Sequence, residues 1–136
     1  MGRQSVIVLD THALIWWVSG SPRLSARARR EVDKALRQGP VAASAISLFE
    51  IAAAVRRGRL ALGLPAPEWL AELNRIAELR IEPVSAAIAQ AAGNLPDSMH
   101  GDPADRIIAA TATALRGKLV TADRKLRRSS HVETVW

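Results

Sequence analysis

Ser5-Val6-Ile7-Val8-Leu9 is a β-branched, apolar run that stops at a carboxylate, Asp10, and Thr11-His12-Ala13-Leu14-Ile15-Trp16-Trp17-Val18 follows with helical character from His12. A strand that hands over directly to a helix is the opening of a strand-helix-strand unit. The alternation continues outward from it. Ser25 to Gln38 is rich in helix formers and stops at Gly39-Pro40, after which Val41-Ala42-Ala43 reads as a short strand. Ser47 opens a helix running to Arg57 and stopped by Gly58, and Pro65 and Pro67 frame a loop. Glu68 to Glu78 carries Trp69, Leu70, Leu73, Ile76 and Ala77 at helical spacing, before a short strand from Leu79 to Glu82.

Ser85 caps an alanine-rich helix over Ala86 to Ala92, closed by Gly93-Asn94, and Leu95 to Gly101 is a loop. Asp102-Pro103 has the form of an N-cap followed by proline at the first helical position, and it opens the most apolar helix, Ala104 to Leu115. With so little polar face, that helix is expected to be central. Gly117 ends it, Leu119-Val120 is a strand, Arg124 to Ser129 a short helix, and Val132 to Val135 a last strand. Strands alternating with helices predict an α/β fold: a Rossmann-like parallel sheet of about five short strands with helices on both faces. At 136 residues and 49% hydrophobic content, the expectation is one domain over residues 1–136.

The composition excludes several classes of chemistry. No cysteine is present, so thiolate metal sites, disulfides and thiol catalysis drop out, leaving carboxylates and histidines as metal ligands. Apolar runs are far shorter than the roughly 20 residues that span a bilayer, and no leader pattern is evident, so a cytoplasmic location away from membranes is expected. No P-loop, G-x-G-x-x-G or G-x-S-x-G string occurs. Lys and Arg number 19 against 13 Asp and Glu, a net charge of +6. The basic residues cluster at Arg27-Arg29-Arg30-Lys34-Arg37, at Arg56-Arg57-Arg59 and at Arg124-Lys125-Arg127-Arg128, which suits a polyanion as well as it suits solvated helix faces. Tyrosine is absent and phenylalanine occurs once, which argues against an aromatic platform for bases.

Position singles out four acids. In an open parallel sheet, each strand delivers its following loop to one edge, and ligands bind there. Asp10 follows the opening strand, Asp123 follows Leu119-Val120-Thr121, Asp105 lies in the first turn of the central helix, and Glu50 is expected in the first turn of the helix after Val41-Ala43. Each has an innocent reading: acids stabilise helix N-termini, Ser47-Leu48-Phe49-Glu50 fits a capping box, and Asp102 is favoured as a cap. Together, four carboxylates at one rim would repel one another without a cation. Oxygen-only ligation points to Mg²⁺ or Mn²⁺. With those four set aside, 9 acidic groups face 19 basic ones, so the acidic notch lies in a basic field suited to a phosphodiester. His12 and His100 read as helix-start or loop packing residues and His131 as exposed.

These residues resemble the PIN-domain family, especially its VapC-like toxins, over essentially the whole chain. Val8-Leu9-Asp10-Thr11-His12-Ala13-Leu14-Ile15-Trp16 is similar to the family's first strand and catalytic aspartate, and Ser44 to Ala52, S-A-I-S-L-F-E-I-A, to its second motif with Glu50. His100-Gly101-Asp102-Pro103-Ala104-Asp105-Arg106-Ile107-Ile108-Ala109-Ala110-Thr111-Ala112 resembles the third, and Leu119-Val120-Thr121-Ala122-Asp123 the fourth. The resemblance implies a Mg²⁺- or Mn²⁺-dependent endoribonuclease acting on RNA, a homodimer, and a small cognate antitoxin that blocks the site. It places the third motif's catalytic acid at Asp105, with Asp102 and Arg106 as accessory candidates of the D-P-x-D-R subgroup; Gly101 stands where that subgroup often has arginine.

On this reading Asp10, Asp105 and Asp123 are direct metal ligands, Glu50 binds metal or orients water, and Thr11, Ser47 and Thr121 donate hydrogen bonds behind them. A phosphoacceptor receiver domain fits badly because the first strand lacks an adjacent acidic pair, and a haloacid-dehalogenase-like phosphatase because Asp10-Thr11-His12 lacks a second acid. The remaining alternative is a non-catalytic PIN module that only binds RNA or protein, against which the retention of all four acids argues.

Overall fold

The computed structural model describes residues 6–99 and 101–136, so the expectations for Ser5 and His100 lie outside the described residues. The elements run β1 Ile7–Leu9, α1 Thr11–Ser19, α2 Ala26–Leu36, β2 Val41–Ser44, α3 Ala45–Arg56, α4 Ala66–Leu73, β3 Leu79–Glu82, α5 Ala86–Gly93, α6 Pro103–Ala114, β4 Lys118–Val120, α7 Arg124–Arg128 and β5 Thr134–Val135. The strands form one parallel sheet in the order β3-β2-β1-β4-β5.

Strand periodicity explains how both faces of this sheet are buried. Successive side chains point to opposite sides. Ile7 and Leu9 of β1 accordingly join Val41, Ala43 and Val120 in a core completed by Leu14 of α1 and by Ala28 and Val32 of α2. Val8 joins Ala42 and Leu119 in a second core with Ile108, Ala109 and Ala112 of α6 and Leu126 of α7. A strand buried on both faces needs an unbroken apolar run, which is what β1 has. The expected centrality of α6 is observed: Ile108 through Ala112 are all buried.

The chain leaves β1 toward β2 and β3, then crosses back to place β4 and β5 on the other side. The strand order therefore reverses between β1 and β4, and their carboxyl ends flank the crevice where an open parallel sheet binds ligands.

Several local expectations change. The cap of α3 is Ser44, whose side chain accepts from the Ile46 N–H, so Ser47 and Glu50 do not form a capping box and Glu50 sits in the second turn. α4 stops at Leu73 because residues 74–78 turn back to feed β3. At the end of α6 the left-handed residue is Arg116, with φ of 55°, rather than Gly117. Gly117 answers a different need. A Cβ there would lie 2.7 Å from the carbonyl oxygen of Val6, which accepts the Lys118 N–H that starts the β1–β4 pairing.

Candidate functional site

Asp10 ends β1 and caps α1, its Oδ1 accepting from the Ala13 N–H at 2.9 Å. Asp123 follows β4 and caps α7, its Oδ1 accepting from the N–H groups of Lys125 and Leu126 at 2.8 and 3.0 Å. Asp102 caps α6 through Oδ1, which accepts from the Asp105 N–H at 3.1 Å. Capping and ligand binding are thus compatible. Each cap engages Oδ1 and holds the carboxylate at a helix N-terminus, where the macrodipole favours negative charge.

All five acids, Asp10, Glu50, Asp102, Asp105 and Asp123, line one cleft of about 540 Å³ at the carboxyl edge of the sheet. Thr11 lines it as well, and its hydroxyl donates to Glu50 Oε1. The Thr11 hydroxyl oxygen also lies 2.9 Å from Ser47 Oγ. Thr11 has one proton to give and an ionised carboxylate only accepts, so Ser47 donates to Thr11. Ser47 is fully buried because it serves this chain of hydroxyls rather than a helix end. Thr121, also fully buried, donates to Asp10 Oδ2 at 2.5 Å and accepts the Asp123 N–H at 3.0 Å.

Arg106 lies elsewhere. Its guanidinium donates to the backbone carbonyls of Ala92, Gly93, Leu95 and Met99, fastening the end of α5 and the following loop to α6. Adjacent residues on a helix point about 100° apart, so Asp105 can face the cleft while Arg106 faces away from it. Of the histidines, His12 keeps its expected place at the start of α1, while His131, expected to be exposed, is not. His12 is exposed in the cleft wall with its ring 5.6 Å from that of Trp16, whereas His131 is half-buried with Nε2 3.1 Å from Ser98 Oγ. Arg59 lines the cleft too. The one-turn spacing of His12 and Trp16 could have flagged that pair; nothing local marks Arg59 among its basic neighbours.

The cleft concentrates negative charge. Burial pushes the Asp10 carboxyl above its ordinary range against hydrogen bonds from Thr121 and Ala13, and the charge of Asp105 pushes the same way. Burial likewise raises Glu50, opposed by the Thr11 hydrogen bond and reinforced by Asp105 and Asp102. Such acids are under electrostatic pressure to take up either protons or a cation. Among the described residues, no three or more His, Asp or Glu side chains stand close enough together, as they lie, to hold a metal ion. An oxygen-only donor set is the chemistry of a hard divalent cation, which can keep several waters and take few protein ligands. No helix among the described residues is long and apolar enough to cross a membrane.

Comparison with known proteins gives the same fold from independent directions. Ribonuclease VapC22 of Mycobacterium tuberculosis is 37% identical over 134 residues, covering 97% of this chain and 99% of that one. A chain in the crystal structure of VapBC2 from Rickettsia felis, bound to a DNA fragment from its promoter, superposes with a TM-score of 0.70 at 19% identity, covering 96% of this chain and 98% of that one. A toxin–antitoxin complex from Klebsiella pneumoniae gives 0.59 at 25% identity, with 96% of each chain covered. The PIN domain profile matches residues 7–131, a span that runs from the strand leading into Asp10 past Asp123. With its sheet order, its acid-lined edge and this match in hand, the chain belongs to the PIN-domain family.

Proposed function

We propose that this protein is a metal-dependent endoribonuclease toxin that hydrolyses RNA phosphodiester bonds, held in check by a small cognate antitoxin and acting as a homodimer. The observation that carries the reading is the convergence of five carboxylates from four separate segments on one cleft at the sheet's switch point. The ribonuclease name of the mycobacterial relative and the antitoxin complexes among the structural neighbours support substrate and partner.

In this reading Asp10, Asp105 and Asp123 hold Mg²⁺ or Mn²⁺, with Glu50 as a further ligand or as the group that orients the attacking water. The chemistry such a cation supplies is a lowered pKa for water and an offset for charge on the phosphate. The protein's own part is positioning. Thr121 orients Asp10 through Oδ2, the Ala13 N–H fixes Oδ1, and the backbone of α7 fixes Asp123. Thr11 and Ser47 hold Glu50 with one oxygen engaged. Burial raises the Glu50 carboxyl in the metal-free cleft, which strengthens it there as a proton acceptor. Asp102 caps α6 and sets the first turn that carries Asp105; Arg106 acts only through the loop it fastens.

The test is cleavage of single-stranded RNA by purified protein in Mg²⁺ or Mn²⁺, followed by EDTA. Cleavage that stops on chelation supports the reading, and cleavage that persists in EDTA, or none in either metal, overturns it.

A further inference from the structure

A second cleft, of about 450 Å³, lies beside the acidic one and has the opposite character: it is lined by Arg27, Arg124, Arg127, Arg128, Thr134 and Trp136. Arg27 comes from α2 and the other arginines from α7, so the fold gathers four guanidiniums from distant parts of the chain. Among the described residues no carboxylate pairs with any of them. Four exposed guanidiniums around one hollow give it a positive potential that favours an anion carrying several charges.

Two physical links join this hollow to the acidic cleft. Arg124 borders a small depression shared with Asp102, Asp105 and Asp123. On the other side, His12 and Trp16 line the acidic cleft, and the Trp16 ring stands 5.7 Å from that of Trp136, at 53°, which lines the arginine hollow. The low Tyr and Phe count concealed this ladder because the aromatic surface is built from tryptophan. A flat π-face beside guanidiniums matches a ligand in which flat bases alternate with phosphates.

We infer that the arginine hollow and the Trp16–Trp136 pair form the track for the RNA strand flanking the bond to be cut, with phosphates on Arg27, Arg124, Arg127 and Arg128 and a base on Trp136. The inference rests on the ribonuclease reading for its substrate but concerns binding outside the carboxylates. An acidic polypeptide would satisfy the arginines too, but only a nucleic acid strand carries a flat base beside every phosphate, as an indole face beside guanidiniums requires.

The test is binding of a 5′-labelled single-stranded RNA of about twelve nucleotides, long enough to occupy a site of the size typical for such grooves, read by fluorescence anisotropy in EDTA so that nothing is cut. Replacing both Arg127→Ala and Arg128→Ala is expected to weaken binding roughly tenfold at low salt and to flatten the slope of log K against log salt by about 1.4, or 0.7 per lost phosphate contact. The double lysine variant restores the slope. Trp136→Ala weakens binding roughly tenfold with the slope intact, and Trp136→Phe recovers most of it. An unchanged affinity and slope in the double alanine variant overturns the proposal, as does loss of binding to a poly-glutamate probe while RNA binding stays at the wild-type level. Cleavage by the wild type in Mn²⁺ is scored separately: its absence sinks the ribonuclease reading without altering what the EDTA titration says about the track.

Discussion

Thr121 ties Asp10 to Asp123: one hydroxyl donates to Asp10 Oδ2 at 2.5 Å and accepts the Asp123 N–H at 3.0 Å, across 111 residues of sequence in the first case. The two acids at the switch point are thereby set as a pair. Thr121→Val keeps the shape and removes the hydroxyl, leaving a buried carboxylate oxygen without its donor. We expect a loss of about 1–3 kcal/mol in stability and a fall of about 10–100-fold in metal affinity, with Thr121→Ser close to wild type. Melting curves and Mn²⁺ titration of the three proteins check both.

Asp102 and Asp105 lie on one helical turn but should respond oppositely to the same change. Asp102→Asn preserves the cap on α6, so most activity remains, while Asp102→Ala costs about 0.5–2 kcal/mol. Asp105→Asn removes a charge that opposes ionisation of both Asp10 and Glu50. Its fold should hold or gain stability without metal while RNA cleavage collapses. Parallel melts and cleavage assays decide, and an inactive Asp102→Asn beside an active Asp105→Asn would show the roles to be reversed.

How far these features were legible in the sequence follows from the range of the forces involved. β1, the Asp102 cap and the strand-turn acids at Asp10 and Asp123 were readable because apolar runs and caps are local. Ser44 and Ser47 look alike locally, and only the Thr11 contact from α1 reveals that Ser47 is taken by the site. Arg106 looked like a neighbour of Asp105 in sequence but faces the α5 loop. The arginine hollow was unreadable, since it joins Arg27 to residues nearly a hundred positions away.

The raised carboxyls make a prediction about pH. Folding lifts Asp10 and Glu50 above their ordinary values of 3.8 and 4.5, so the folded state binds their protons more tightly than the unfolded chain. The metal-free protein should therefore lose stability as pH rises from those ordinary values through the higher folded ones, and no further above them. Asp10→Asn should flatten the decline, and saturating Mn²⁺ should offset it at neutral pH. Urea titrations across pH 4–8, run in EDTA and in Mn²⁺, would show an increase instead if the carboxyls were stabilised in their charged form.

Arg106 should prove structural. Its guanidinium serves four carbonyls at the end of α5, so Arg106→Leu is expected to cost about 1.5–3 kcal/mol. Arg106→Lys should recover only part, because a point charge cannot span the fork. Urea midpoints measure this, and a fully stable leucine variant that is nonetheless inactive would place the side chain in the chemistry instead.

The most direct measurement of the central claim is a Mn²⁺ titration of the wild type and of Asp10→Asn, Asp105→Asn and Asp123→Asn, followed by electron paramagnetic resonance and paired with RNA cleavage at each metal concentration. The account predicts that the wild type binds Mn²⁺ and gains cleavage in step with occupancy, and that each asparagine variant stays folded while losing binding and cleavage together. Variants that cut RNA at the wild-type rate without binding Mn²⁺ would contradict it.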